Sequence, residues 1–322
     1  MNEIILETNT AVYLLSELIV WFMLLIAFIV DIRLLTRWDY GSFDPEQYEL
    51  EKRAYLVMTV IIFAFAVKAP LLPYFVFTID ELSALVPGAM CGAGVISANG
   101  YGLPLLFVKI VTTLSFVLWL TINHYDLEEG DYPWFRLKSL LFIAVFTLVS
   151  VELWLDISFF THIDTTRPTS CCSALFGLLE GENPLPFGLD TKSLLLLFYT
   201  LYLVTVGSIA ISWNSMTAIS STLFLYISYY AVVYFFGTYI YQLPTHRCPF
   251  CMMQKEYFYV GYIVWGTLLG GYFGILSSLV AETLPGVGAE RVKRFSALLL
   301  TIFVAVCSAY VAYYYIENGV LL

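Results

Sequence analysis

Charge is scarce in this chain. Only 12 % of its 322 residues are Asp, Glu, Lys or Arg, where a soluble domain carries about 25 %. The basic sign is the scarcer one: 15 Lys and Arg stand against 25 Asp and Glu, for a net charge of −10. No basic patch is visible to neutralise phosphates, which argues against nucleic acid as a partner. Histidine is limited to three residues. HExxH, Ser-His-Asp and glycine-rich phosphate-loop patterns are missing, which removes the hydrolase and nucleotide-binding classes that depend on them. The opening Met1-Asn2-Glu3 lacks the positive region of a cleaved signal, so the first apolar segment is expected to be a retained transmembrane helix.

What remains is apolar. Hydrophobic residues make up 60 % of the chain, and mean hydropathy is +0.82. Runs of about 20 apolar residues span a bilayer. Eight such runs fall at 10–31, 54–78, 102–123, 138–160, 192–213, 220–242, 256–281 and 296–316. The chain is therefore expected to be an all-α polytopic protein with a lipid membrane as its surroundings. Arg33, Arg37, Lys52, Arg53, Arg136, Lys138, Arg291, Lys293 and Arg294 fall in one set of loops; Arg167, Lys192, Arg247 and Lys255 fall in the other. The positive-inside rule makes the first set cytoplasmic and puts both termini outside.

Five of the six cysteines, Cys91, Cys171, Cys172, Cys248 and Cys251, then lie in extracytoplasmic loops. An oxidising face suits disulfide chemistry. Cys307 sits mid-span and reads as a small buried apolar residue. Cys248-Pro249-Phe250-Cys251 is expected to open a transmembrane helix, whose N-terminus would favour a thiolate on the first cysteine. Arg247 and Lys255 flank the pair and would add to that stabilisation. The alternative is a structural disulfide or half of a metal site. Cys171 and Cys172 are adjacent, and a bond between neighbours is strained, so each is expected to pair elsewhere or only one to react. Their loop is either a redox element bent over the C-x-x-C or an inert staple. Cys91 is a possible third redox station.

Two of these motifs resemble a known family. Thr169-Ser-Cys-Cys-Ser-Ala-Leu175, followed by Pro186-Phe-Gly-Leu189 and an apolar helix, resembles the shuttle-cysteine loop of the vitamin K epoxide reductase family. Cys248-Pro-Phe-Cys-Met252 is similar to that family's active-site motif, and its continuation into Gln254-Lys255 resembles the bacterial disulfide-bond oxidases. The resemblance is placed over about 138–316 and rests on short motifs. It departs from the family pattern at Asp164 and Thr165, where a second shuttle cysteine would fall, and at Asp190, where proline would stand. It implies a membrane-embedded four-helix redox bundle over 138–281, with 296–316 as a fifth helix, and so a division into 1–137 and 138–322. It also implies a thiol:quinone disulfide oxidoreductase of the bacterial inner membrane, its cysteine loops on the extracytoplasmic face. A periplasmic or extracytoplasmic thioredoxin-like protein would be the thiol partner, and ubiquinone or menaquinone the electron acceptor. On this resemblance the shuttle thiolate attacks Cys248, and Cys251 faces the quinone.

Aromatic residues are 17 % of the chain. An interfacial belt explains many of them. Those near the thiols, Tyr229, Tyr230 and Tyr257 above all, are candidates for a flat lipid-soluble ligand, with Tyr226, Tyr234 and Tyr259 nearby. Lys68, Lys109, Glu152 and Asp156 fall inside spans, and the last two share one helix face. They are expected either to pair as packing glue or to relay protons. Pro70, Pro73 and Pro104 are expected to kink helices near the outer ends. The competing function is soft-metal binding or transport, since Met90, His162, His246, Met252 and Met253 join the loop cysteines as copper-type ligands. Against it, no thiol or thioether ladder crosses the membrane. A third possibility is a non-catalytic membrane anchor of a larger complex, docking through its first three helices.

Overall fold

The structure, a computed structural model, describes residues 3–40, 44–128, 132–169 and 185–322, with only the backbone of Phe187. The described residues are helical and contain no strand. Among the described residues, eight helical segments are long and apolar enough to cross a membrane, as many as the sequence leads one to expect. The protein is a multi-pass all-α membrane protein.

Two compact units divide the chain. The first comprises 1–86 and 95–167 and is built from α1 (Thr8–Arg37), α2 (Pro45–Lys68), α3 (Leu71–Glu81), α4 (Gly102–Glu128) and α5 (Phe135–Thr161). Glu7 caps α1 by accepting the Thr10 N–H at 2.8 Å. Pro45 starts α2 in the first helical turn, where its missing N–H costs nothing. Pro70 ends that helix, and the span resumes as α3, so the expected kink is present. Stacked rings of Phe65 and Phe116, 4.1 Å apart, join α2 to α4. Ser139 donates to Asp31 at 2.9 Å and joins α5 to α1.

The second unit comprises 87–94 and 168–322. Its helices are α6 (Thr191–Ala210), α7 (Asn214–Ala231), α8 (Gly237–Tyr241), α9 (Val260–Ala281) and α10 (Glu290–Asn318). Asp190 caps α6 by accepting the Ser193 N–H. A turn at 211–213 separates α6 from α7, so the short gap between those two spans is real. A π-helical stretch, Val232–Phe236, links α7 to α8 and gives one span, 214–241. Such stretches are frequent at functional sites. Helices α9 and α10 approach closely because Gly271 and Gly274 face Leu300 and Ser296; an added Cβ would lie 2.6 Å from Leu300 Cδ2 and 2.1 Å from Ser296 Oγ.

This division differs from the boundary at 137/138. Helix α5 belongs to the first unit, because its Glu152 and Asp156 are bonded to lysines on α2 and α4. The four-helix bundle that carries the C-x-x-C is therefore formed by the spans 191–210, 214–241, 260–281 and 290–318, with the last span an integral member.

Candidate functional site

The C-x-x-C does not open a helix as the sequence leads one to expect. Cys251–Met253 and Lys255–Tyr257 form separate 3₁₀ turns, and α9 begins only at Val260. Gln254 is extended between the turns (φ −79°, ψ 159°), and Phe258 and Tyr259 are both left-handed (φ 54° and 56°). A continuous helix cannot pass through those conformations. The thiols thus lie on a compact loop, without a helix N-terminus behind Cys248.

Tyr241, at the end of α8, anchors this loop. Its hydroxyl donates to the Cys248 carbonyl and accepts from the Met252 N–H at 3.0 Å. Trp265 on α9 donates to the Pro249 carbonyl at 3.3 Å. Gly261 leaves room for the loop, since a Cβ there would lie 2.6 Å from Met252 Cγ and 2.7 Å from Met253 Cγ. Both termini of the C-x-x-C are consequently held by groups from the flanking helices.

The segment 87–94 brings the third thiol. Gly88 has φ +82°, and a side chain there would meet the Thr169 carbonyl at 2.7 Å. The Thr169 N–H donates to the Pro87 carbonyl at 2.8 Å. Gln254 donates to the Met90 carbonyl at 3.2 Å. These bonds seat Cys91 against the C-x-x-C: its Sγ lies 3.5 Å from Cys248 Sγ, and the sulfurs of Cys91, Cys248 and Cys251 are all within 4.8 Å of one another. All three are buried, at 0 %, 2 % and 5 % exposure.

Three thiols in contact do not ionise alike. The Cys248 and Cys251 thiols donate to Cys91, and the Ala93 and Gly94 N–H groups help, so Cys91 falls well below the usual thiol range despite burial. Cys251 moves up, because its hydrogen bonds to Cys248 and Cys91 hold its proton and burial adds to the effect. Cys248 also moves up: the Cys251 bond opposes this, but the bond to Cys91, burial and the Cys91 charge prevail. The directions favour a thiolate on Cys91 over one on Cys248, the reverse of the order that the sequence leads one to expect.

Arg247 lies over the Tyr234 ring at 5.4 Å, and Lys255 is exposed. His246 packs edge-on to Tyr241, ring centres 4.5 Å apart. Burial pushes the His246 imidazole down while the Cys91 charge pulls it up, and its Nε2 is buried without a hydrogen-bond partner. Tyr229 contacts both Tyr230 (5.4 Å) and Trp265 (6.1 Å). Tyr230 stacks on Tyr234 at 6.1 Å, and Tyr226 lies 5.1 Å from Tyr230. An aromatic face therefore runs from the loop-binding Trp265 along α7. Tyr257 sits edge-on to Tyr241 at 4.8 Å. Cys307 is fully buried on α10 beside Phe303, as its packing reading requires. Cys171 and Cys172 lie outside the described residues.

Lys68, Lys109, Glu152 and Asp156 do come together, in the first unit. Two members of that cluster, Tyr13 and Glu17, escaped sequence reasoning. Glu17 was legible as a lone acid in an apolar span; Tyr13 carried no such signal. Tyr241 was likewise one of 24 tyrosines, with nothing to mark it. No family model, curated protein or solved structure matches this chain.

Proposed function

We propose that the second unit is a membrane thiol–disulfide oxidoreductase in which Cys91 exchanges with the Cys248–Cys251 pair. The observation that carries this reading is the 3.5 Å approach of Cys91 to Cys248, with Cys251 in the same group of sulfurs. Exchange needs a thiolate, an approachable sulfur and a leaving sulfur. In the oxidised pair, the Cys91 thiolate attacks Cys248 Sγ, forms the Cys91–Cys248 bond, and breaks the Cys248–Cys251 bond. Cys251 leaves with the electron pair. A second thiol, from the 171–172 loop or from a partner protein, then attacks Cys91 and releases Cys248 as a thiolate. The pair has now gained two electrons, and the incoming thiols have lost them. His246, with its unpartnered Nε2, is placed near this charge to accept or return a proton.

The acceptor fitting this unit is a lipid-soluble quinone, which would take two electrons and two protons from the reduced pair. The support is the aromatic face of Tyr229, Tyr230 and Trp265, joined to the C-x-x-C through the Trp265–Pro249 bond. The resemblance to the vitamin K epoxide reductase family supports the same reading. A thioredoxin-like protein on the extracytoplasmic face of a bacterial inner membrane is the partner this chemistry would serve.

The same three sulfurs support a second reading. Separations within 4.8 Å suit one soft ion bound by three thiolates. One experiment separates the two: a mass-spectrometric disulfide map of the purified protein, taken with a quinone and again with a reductant, alongside its metal content. Cysteines that cycle between Cys248–Cys251 and Cys91–Cys248 links, without bound metal, are expected. Thiols that stay reduced around a stoichiometric copper ion would replace the redox reading with the metal one.

A further inference from the structure

The first unit holds a polar cluster within its bundle, among residues no more than 6 % exposed. Lys68 pairs with Glu17 and, at 2.8 Å, with Glu152 Oε1. Lys109 reaches Glu152 Oε1 at 2.7 Å and Asp156 Oδ2 at 2.9 Å. It also donates to the Tyr13 hydroxyl. Four helices contribute: α1, α2, α4 and α5. From α3, Phe75 lies under Lys109 at 4.8 Å and Tyr74 lies 6.3 Å from the Tyr13 ring, and neither adds a charge.

Two independent observations point to a missing hydrogen. The first is charge: three carboxyl groups face two ammonium groups. A surplus negative charge at this depth is costly, and such groups are normally neutralised. The second is the hydrogen count at Tyr13. Its oxygen lies 3.0 Å from Glu17 Oε1 and 3.0 Å from Asp156 Oδ1, and Lys109 already donates to it. A tyrosine hydroxyl has one hydrogen to give. One carboxyl receives it, so the other must bring its own.

We propose that the first unit binds one exchangeable proton, held between Glu17 and Asp156 across the Tyr13 hydroxyl. With it the cluster is neutral; without it the cluster carries one negative charge inside the bilayer. A divalent cation is not the occupant, because Lys68 and Lys109 already lie among the three carboxylates that would ligate it. A membrane unit whose charge changes by one on taking up a proton has the elementary property of a proton-coupled device. The site shares no residue with the thiol cluster, so this inference and the redox reading stand or fall separately.

Infrared spectroscopy of the full chain in lipid nanodiscs at neutral pH tests it. The wild type is expected to show the carbonyl stretch of a protonated carboxyl, shifted by transfer to D₂O. Asp156→Asn and Glu17→Gln should each abolish it, since either leaves two acids facing two lysines. Asp31→Asn, which alters another buried acid of the same unit, should retain it. No such band in the wild type, a band that ignores D₂O, a band that survives both cluster variants, or a band lost in Asp31→Asn overturns the proposal. Should both cluster variants fail to fold, Tyr13→Phe replaces them. It leaves the charge count unchanged, so the band must persist at a new frequency; an unshifted band overturns the proposal.

Discussion

Cys91 Sγ lies 3.5 Å from Cys248 Sγ, although 157 residues separate them in the chain. The contact gives the C-x-x-C an internal partner. It also makes the order of sulfur exchange testable by trapping.

Cys251→Ser is expected to accumulate a Cys91–Cys248 disulfide under mild oxidation, because the thiol that would resolve it is gone. Cys248→Ser should give far less of any link to Cys91, since the proposed attack is on Cys248, whose Sγ lies 3.5 Å from that of Cys91. Non-reducing mass spectrometry reads both. A dominant Cys91–Cys251 link in Cys248→Ser, with none in Cys251→Ser, would reverse the assigned roles.

Cys91 should be the ionised thiol of the reduced protein. Its folded value lies below that of a free thiol, about 8.5, so the thiolate should persist as pH falls from about 8 to about 6. It is lost only when pH drops through the lowered folded value. The associated stabilisation follows the same sign: it is present above the free-thiol value and fades as pH falls towards the folded one. The ultraviolet absorbance of thiolate measures this. Cys91→Ser should move the titration rather than leave it in place, because the bond to Cys91 and its charge, which push Cys248 up, are lost with it. A signal unchanged by Cys91→Ser would assign the charge elsewhere.

Tyr241→Phe leaves the Cys248 carbonyl and the Met252 N–H without their shared partner. The expected loss is about 1–3 kcal/mol, read as a lower unfolding temperature. Trapping of the Cys91–Cys248 link in a Cys251→Ser background should also slow, because the loop no longer holds Cys248 in place. Unchanged stability together with unchanged trapping would remove Tyr241 from the account.

Lys109→Met strands three carboxyl groups with one ammonium. Breaking a buried network from one side costs about 3–5 kcal/mol. Adding Asp156→Asn should recover part of that loss, since it removes one of the stranded charges; coupled residues are not additive. Thermal unfolding of the two single variants and the double variant measures the coupling. Additive losses would mean that the two side chains act independently.

The orientation is testable at exposed positions, because Cys91, Cys248 and Cys251 are buried. Met90 is 68 % exposed and Phe258 is 87 % exposed, beside Cys91 and beyond the C-x-x-C respectively. Met90→Cys and Phe258→Cys proteins should react with an impermeant thiol reagent added outside intact cells, and Arg294→Cys should not. Labelling of Arg294→Cys alone would invert the topology and remove the oxidising-face argument.

The membrane class, the eight spans and the pairing of two sulfurs in the C-x-x-C were legible because each is local. A run of apolar residues declares its span, and a C-x-x-C declares a pair of nearby sulfurs, whatever surrounds them. The position of Lys68, Lys109, Glu152 and Asp156 inside spans was equally readable, since charge at that depth is rare. The grouping was not. That α5 packs with the first helices depends on which lysines its two acids meet, and no periodicity records the choice of partner. That the C-x-x-C forms a loop depends on Tyr241, Trp265 and Gly261, which reach it from separate helices. The third thiol was visible as a cysteine in a loop, but only the packing of Gly88 against Thr169 and of Gln254 against Met90 carries it to Cys248. Sequence settled which chemical groups the chain owns and how deep each lies. Tertiary structure decided which of them touch, because long-range contacts are set by the joint packing of whole helices and leave no trace in the residues nearby.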